Sequence, residues 1–455
     1  MSIRSAQLAE TFAALMSSNR AASPRLRPIA PGVAAFAAVA AALLMITSPQ
    51  PANAELAGLF GGGPYYKTGA ATHVAEIKAA GFTEAIVWNI EVKSNGDLNF
   101  NGEFPLCSGG AYVGATTHSD FVANMAALHQ GSVRRVTFSI GSSNVGDWQD
   151  VRDLVNAQGT TSTSILYQNF SALLTAIPSV DAFDFDDENC YDATTMVKFA
   201  VMLSDLGAHV VPDPYTNASF WTNVVSQINS QRPGCVDSIH LQCYSGGAGN
   251  NPGTFANFGS VPVYPGLWDQ NLTPSQVQTK LTGWKNQYGT SGGWMWIYDD
   301  FVGNGKAAQY ANAIHAAFIT TYEAENLTLA AKSADTHRIV GNSSFSNGYS
   351  TILDATAAGD FVTYTVNVPQ ARTYDVRVGA KLSNNRGIFQ YSSNGVNHGN
   401  PVDLYSATAS YTEVDVGNTT FSSSGNKSFQ FLVTGKNAAS AGYTLSFDYI
   451  KLVPQ

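Results

Sequence analysis

The sequence predicts an α/β chain: a (β/α)8 barrel over residues 55–320 followed by an antiparallel β-sandwich over 321–455, behind an export signal at 1–54. Three observations carry this. Short apolar runs alternate with helix-period segments about eight times in the first part, as parallel βαβ units require. Helical periodicity stops near Thr321, and turn-separated strand patterns take over. Charged residues are 13% of the chain and aromatics 11%, a profile that excludes a disordered chain, a coiled coil or a collagen-like fibre. The net charge is −9, with no run of Lys or Arg. Nucleic acid and anionic membrane surfaces are therefore poor partners.

The first element is the export signal. Arg4, Arg20, Arg25 and Arg27 precede an apolar stretch from Val33 to Ile46, too short to span a bilayer comfortably, and Ala52-Asn53-Ala54 supplies a small-x-small cleavage pattern. The n-region is long, so an uncleaved anchor or an internal apolar helix is the alternative. The mature protein is expected to be secreted and monomeric.

The barrel strands are expected within Leu56–Phe60, Glu84–Ile90, Arg134–Gly141, Ala182–Glu188, His209–Tyr215, Ser238–Tyr244, Pro262–Trp268 and Gly293–Phe301, all rich in β-branched and aromatic residues. Helices are expected at His73–Ala80, Asp120–His129, Ser164–Ile177, Thr194–Leu206, Pro274–Tyr288 and Lys306–Phe318, among seven or eight crossovers. Eight such units in about 250 residues suit a barrel better than an open doubly wound sheet. No Gly-x-Gly-x-x-Gly opens a helix after the first strand, which argues against dinucleotide binding.

The most informative stretch is Asp181-Ala182-Phe183-Asp184-Phe185-Asp186-Asp187-Glu188. Alternate residues of a strand share a face, so Asp184, Asp186 and Glu188 point one way and the two phenylalanines the other. In a barrel the acids would face the axis and the aromatics would pack under the helices. Three neighbouring carboxylates cannot all ionise cheaply, so at least one pKa must rise, which suits a general acid at neutral pH. Glu188 comes last, at the carboxyl end where barrel active sites form. A calcium loop or a solvated acidic turn is the alternative, but calcium loops run irregularly through Gly, whereas these acids alternate with Phe.

The octapeptide resembles the active-site strand of glycoside hydrolase family 18, the chitinases and endo-β-N-acetylglucosaminidases, whose pattern is Asp-Gly-φ-Asp-φ-Asp-x-Glu. Asp181, Phe183, Asp184, Phe185, Asp186 and Glu188 match, and Ala182 replaces the Gly. The resemblance implies a (β/α)8 barrel with this motif on strand four, where it falls here. It implies Glu188 as the general acid, Asp186 orienting the substrate's own 2-acetamido group as nucleophile, Asp184 tuning Asp186, and Asp181 beside the substrate. Configuration would be retained by this substrate-assisted route, with no catalytic cofactor. Leu241-Gln242-Cys243-Tyr244 resembles the family's Gln-x-Tyr-Asn, which implies that Tyr244 holds the acetamido carbonyl with Gln242 on the same face; Ser245 stands where the Asn would be. Gly292-Gly293-Trp294-Met295-Trp296-Ile297 resembles Gly-Gly-x-Met-x-Trp, with Ile297 at the floor position and Trp294 and Trp296 on neighbouring ones. A bulge would be needed to bring Trp296 into line. Ser139-Ile140-Gly141-Ser142 resembles Ser-x-Gly-Gly. The acid machinery is thus intact while the sugar site is altered.

Trp88, Tyr215, Trp268, Trp294 and Trp296 are candidate sugar-stacking residues, because sugars present apolar C–H faces to aromatic platforms. Each one singly also suits core packing. Cys107, Cys190, Cys235 and Cys243 permit two disulfides in an exported chain, with three connectivities. Cys107 and Cys190 both fall at the carboxyl face, where a bond would pin loops over the site.

The tail opens Tyr322-Glu323-Ala324-Glu325-Asn326, carries Gly359-Asp360-Phe361 at the start of a strand, and closes Asp448-Tyr449-Ile450. Strands are expected at Phe361–Val368, Tyr374–Ala380, Ile388–Tyr391, Glu413–Val416, Ser428–Val433 and Thr444–Leu452. These landmarks resemble carbohydrate-binding modules of families 6 and 35. The resemblance implies a structural calcium held by Glu323, Glu325 and Asp448, hard oxygen ligands brought from both chain ends. Tyr349, Tyr405, Tyr411 and Asn437 are the loop candidates for sugar; no Trp follows Trp296. The expected function is a secreted hydrolase of a polysaccharide containing 2-acetamido sugars, tethered by its binding module. A hydrolase of another polysaccharide, or a silent lectin, are the alternatives.

Overall fold

The computed structural model describes residues 56–143 and 145–454; the expected export signal lies outside them. Each of the eight apolar runs holds a strand: β1 (Ala57–Gly61), β2 (Glu84–Val92), β3 (Arg135–Gly141), β4 (Ala182–Asp186), β5 (His209–Pro212), β6 (Ile239–Gln242), β7 (Val263–Trp268) and β8 (Gly293–Trp296). All neighbouring pairs are parallel, in the order β5-β4-β3-β2-β1-β8-β7-β6. Continuous pairing stops at one seam, so the sheet is not a fully closed ladder. There β5 and the approach to β6 share an isolated parallel bridge, Val210 to Val236. Val210 N donates to Cys235 O and Gln242 N to Pro214 O, each at 2.9 Å.

Eight helices lie among the described residues: α1 (Ala70–Ala80), α2 (Phe121–Leu128), α3 (Asp147–Gln158), α4 (Ile165–Ala176), α5 (Ala193–Asp205), α6 (Ala218–Gln231), α7 (Pro274–Tyr288) and α8 (Lys306–Phe318). Six match the expected segments. Helices α3 and α6 do not, although their buried residues (Trp148, Val151, Leu154, Val155 and Trp221, Val224, Val225, Ile228) follow a helical period. Polar and β-branched residues mask that period in α6. Caps follow side-chain chemistry: Ser164 Oγ accepts from Tyr167 N, and Asp192 Oδ1 from Thr195 N.

The helices cover the outward side of the strands. Phe183 meets Phe170 of α4 at 5.2 Å, and Phe185 meets Trp148 of α3 at 4.7 Å and Phe199 of α5 at 5.7 Å. The phenylalanines of the acidic strand therefore pack under helices, as alternation requires. An antiparallel excursion of three short strands, Leu98–Phe100, Phe104–Ser108 and Ala111–Tyr112, follows β2. Cys107 is buried within it, facing Tyr112 across the ladder. All four cysteines are free thiols, which corrects the expected disulfides. Cys107 and Cys235 are buried in the core, and Cys190 instead lies beside Arg152.

Eleven antiparallel strands follow: β9 (Thr320–Glu323), β10 (Thr328–Lys332), β11 (His337–Gly341), β12 (Tyr349–Leu353), β13 (Phe361–Val368), β14 (Thr373–Leu382), β15 (Gly387–Ser393), β16 (Val396–Asp403), β17 (Ser410–Thr420), β18 (Gly425–Lys436) and β19 (Leu445–Pro454). They form a sheet ordered β11-β12-β19-β14-β17, with β9 also on β19, and a second ordered β10-β13-β18-β15-β16. Phe447 of the first sheet meets Phe431 and Phe389 of the second at 4.4 and 5.4 Å, so the inner faces build one apolar core. Strand β9 begins two residues after α8 ends. Lys285 Nζ fixes the junction by donating to Phe318 O, Ile319 O and Thr320 Oγ1.

Candidate active site

Along β4, Asp184 and Asp186 point inward and Glu188 follows just past the strand. Asp184 is fully buried and accepts on both oxygens: Ser139 Oγ donates to Oδ1 and His240 Nδ1 to Oδ2, each at 2.8 Å. Burial raises its pKa, and His240 and then Ser139 work against that. Asp186 accepts from Gln242 Nε2 at 3.1 Å. Burial, then the charges of Glu188 and Asp184, push it well above the carboxylate range. Glu188 is half-buried and also raised, by burial first, with Ser143, Asp186 and Gln242 hydrogen-bonding to it in opposition. The two acids thus share a site that favours holding a proton.

Asp187 points away and organises the turn. Its carboxylate accepts from Asn189 N, Cys190 N and Tyr191 N at 3.1, 2.8 and 2.7 Å. Gly141 of β3 is required beside it: a Cβ there would lie 2.4 Å from Asp186 O, and its φ is +97°.

Asp186, Glu188, Gln242, Tyr244, Tyr215, Trp268 and Trp296 line a cavity of about 340 Å³, with Ser142, Ser143, Ser245 and Gly246 completing its wall. Tyr244 stacks on Trp296 with ring centres 6.0 Å apart and planes 23° apart. Trp296 reaches the cleft by ordinary alternation: β7 and β8 pair without a bulge, Trp268 opposite Trp296. Ile297, which stands at the motif's Trp position, is buried, and its neighbour Trp296 is the residue that lines the cavity.

Three expected substrate residues lie elsewhere. Trp294 is fully buried one rung below Trp296. It fills space left by Gly58 and Gly266, its partners in register; a Cβ on Gly266 would come within 2.1 Å of its ring. Its Nε1 donates to Tyr264 O at 2.9 Å. Asp181 sits at the opposite, amino end of β4, accepting from Val136 N at 2.8 Å beside His129. A strand rises about 3.3 Å per residue, which carries Asp181 away from the cleft. Trp88 stands edge-on to Trp296 at 5.4 Å, outside the cavity lining.

Asp213, just past β5, escaped the sequence reading. It is fully buried, and burial with the charges of Asp184, Asp186 and Glu188 pushes its pKa well up. Its signal was a carboxylate at a strand's carboxyl end, obscured by the neighbouring Tyr215. His240 and Glu84 were also missed, for they sit inside apolar runs.

In the sandwich, the four sugar candidates form two pairs. Tyr405 N and Asn437 Nδ2 both donate to Asp403, at 2.9 and 2.8 Å. Tyr411 Oη accepts from Asn342 Nδ2 at 3.1 Å, near the exposed Tyr349 that pairs with Gly341. Glu323, Glu325 and Asp448 do converge, on the 342–348 loop. Ser346 donates through Oγ to Glu323 and Asp448 and through N to Asp448, while Asn347 Nδ2 donates to Glu325 at 2.9 Å. Glu325 Oε2 is buried without a hydrogen-bond partner, and Asp448 is raised by burial despite Ser346, with Glu325 adding to the rise. These hard oxygens fit a calcium ion in chemistry. Among the described residues, however, no three acidic, His or Cys side chains already surround one metal position; Ser346 stands between them.

No family model matches this chain, and no curated protein does. Among solved structures, the catalytic domain of a family GH18 chitinase from the fern Peteris ryukyuensis aligns with 58% of this chain and 99% of its own, at 16% identity and a TM-score of 0.40. A Paenibacillus xanthan lyase aligns with 30% of this chain at 35% identity and a TM-score of 0.29, over only 13% of its own length. The carbohydrate-binding module CBM36, in complex with calcium and xylotriose, aligns with 29% of this chain and 98% of its own at 19% identity and a TM-score of 0.21. The chain is thus similar to carbohydrate-active enzymes and their binding modules. At these TM-scores the likeness carries no argument about activity, which rests on the side chains of the cleft.

Proposed function

We propose that this protein is an exported, monomeric glycoside hydrolase of the family 18 type, a (β/α)8 barrel over 55–320 that cleaves a polysaccharide bearing 2-acetamido sugars. The observation that carries the reading is the adjacent Asp186 and Glu188, both raised in pKa and each acting on the other, facing a cleft floored by Trp296 and flanked by Tyr244 and Trp268. Glu188 protonates the glycosidic oxygen, burial having raised its pKa so that it holds its proton to higher pH than an ordinary glutamate. The acetamido oxygen attacks the anomeric carbon on the face opposite the leaving group and forms a cyclic oxazoline, while the glycosidic C–O bond breaks and the protonated leaving group departs. Water, deprotonated by the Glu188 carboxylate, then attacks from the vacated face and breaks the oxazoline C–O bond, so two inversions retain the configuration. Asp186 accepts the acetamido N–H, and the Tyr244 hydroxyl donates to the acetamido oxygen. The Trp296 and Trp268 rings receive the C–H faces of the sugar.

In the same proposal the sandwich, 321–455, is a carbohydrate-binding module that holds the enzyme on its polymer and raises the local substrate concentration. Tyr349, Tyr405, Tyr411 and Asn437 contact sugar. Glu323, Glu325 and Asp448 hold a structural calcium once Ser346 gives way.

The test is a mass-spectrometric product screen of the protein and its Glu188→Gln variant on chitin oligomers, peptidoglycan, N-glycans and acetamido-free glucans and xylans. Products from the first three, lost in the variant, are expected. Products only from acetamido-free glycans would retain Glu188 as acid and overturn the acetamido mechanism. Glycan binding without cleavage would make the protein a lectin.

A further inference from the structure

A line of charged side chains runs through the parallel-strand interior. Asp184 of β4 meets His240 Nδ1 of β6 at 2.8 Å. His240 Nε2 lies 3.5 Å from Glu84 Oε2 of β2. Glu84 Oε1 accepts from Thr137 of β3 and lies 3.6 Å from Arg135 Nε, and Arg135 forms a two-pronged pair with Asp237 at 2.8 and 3.0 Å. Charges alternate along this chain from below the cleft to the amino end of the strands. Asp184, His240 and Glu84 have no solvent exposure.

Such a chain is expensive unless it does something, since each buried ion loses its hydration and an apolar replacement is often no less stable. Its position suggests what it does. The groups facing His240 are Glu84 from β2 and Asp184 from β4, while Phe60 of β1 and Trp294 of β8 present uncharged rings at 6.2 and 5.8 Å. Arg135 and Asp237 lie beyond Glu84, and Asp213, just past β5, acts on the cluster through Asp184. Both Asp184 oxygens are occupied by donors. The donors on Asp184 favour its ionised form against the burial that raises its pKa, and the partners of Asp186 are Gln242 and Glu188.

We propose that His240, with Glu84 3.5 Å away on its far side, is a positioning residue that keeps Asp184 an ionised acceptor, so that the exchangeable proton of the cleft stays on the Asp186–Glu188 pair. This rests on the reading of that pair as the acid machinery. Burial opposes a charge on His240, but Glu84 and Asp184 on either side outweigh it and lift its pKa to about 9. The imidazolium therefore persists across the neutral range.

The experiment is a carboxyl-carbon NMR titration of the full chain labelled at its Asp and Glu side chains, with Asp184→Asn supplying the assignment. In His240→Gln the midpoint of Asp184 is expected to rise by one pH unit or more, and that of the Asp186–Glu188 pair to move with it. A midpoint unchanged within a few tenths overturns the proposal, because a merely structural His240 would not move it. Should the variant fail to fold, imidazole-nitrogen NMR of the unaltered protein decides. His240 is the one buried histidine of the eight; a neutral ring at pH 7 overturns the proposal, and an imidazolium there supports it. No glycan enters either measurement. A protein that cleaves none of them sinks the proposed activity alone, whereas an unmoved Asp184 sinks this inference alone.

Discussion

Two gatherings of carboxylates among the described residues differ in what answers them. At and below the cleft, Asp184, Asp186 and Asp213 come from β4 and the end of β5 inside a buried interior, where neighbours are other acids, one imidazole, one hydroxyl and an amide. In the sandwich, Glu323, Glu325 and Asp448 come from the two ends of the domain and meet at one loop through Ser346 and Asn347, the two glutamates partly open to water and Asp448 buried. The first arrangement makes protons hard to remove; in the second the oxygens are held by Ser346 and Asn347, with Glu325 Oε2 left without a hydrogen-bond partner. The lesson is that acid count says little, whereas burial and the nature of the donors separate proton handling from cation handling.

The comparison breaks most directly at Glu188. Replacing it with Gln is expected to lower turnover by roughly 10²–10⁴-fold, with an unchanged melting temperature, as measured by product release and calorimetry; loss of stability in place of activity would make Glu188 structural. Its raised pKa sets the sign of the pH effect. The acid must be protonated to act, so kcat/KM should fall as pH rises through a value above the ordinary glutamate range, and a limb at or below about 4.5 would remove Glu188 from that role.

The next largest effect contrasts two tryptophans of one strand. Trp294→Ala should cost about 3–5 kcal/mol of stability by opening a cavity between Gly58 and Gly266. Trp296→Ala should leave stability nearly intact and raise KM about tenfold, the loss of roughly one stacking contact. Chemical denaturation and steady-state kinetics separate them, and equal effects would dissolve the distinction.

On the sandwich side, calcium should raise the melting temperature by several degrees, in line with the ~2.7 kcal/mol gained at a hundredfold excess over Kd. Asp448→Asn should abolish the rise, and a chelator should leave the variant unmoved. If the unaltered protein ignores both calcium and chelator, the carboxylates are held by Ser346 and Asn347 alone.

A smaller effect concerns the buried ion chain. His240 is lifted from 6.5 to about 9, so its contribution to stability is complete below pH 6.5 and is lost as pH rises through about 9. Melting temperature should therefore decline over that window, and less so in a folded His240→Gln variant. Smallest of all, alkylation of the native protein should label Cys190 before the buried Cys107, Cys235 and Cys243, and reductant should not change the melting temperature.

Much of this was legible in the residues. The eight apolar runs hold the eight parallel strands because buried parallel strands need continuous β-branched and aromatic stretches, a local property. The alternation of Asp184, Asp186 and Glu188 with Phe183 and Phe185 fixes which face each takes, since the strand period is two. The six expected sandwich strands formed for the same reason. The strands β9–β12 and β16 were not seen, for they are short or exposed and rich in polar residues. The excursion after β2 was hidden because its strands run only two to five residues.

The sequence by itself determined which residues alternate inward and therefore that acids and tryptophans would share an interior. Only tertiary structure decided their depth and partners. Register against Gly58 and Gly266 sent Trp294 into the core and left Trp296 at the cleft, and distance along β4 carried Asp181 to the far end. Packing of β2, β3, β4 and β6 around one axis placed Glu84 against His240 and His240 against Asp184, over sequence separations that no local pattern encodes. A period assigns a face from neighbouring residues alone, whereas a contact between strands depends on how every intervening element packs.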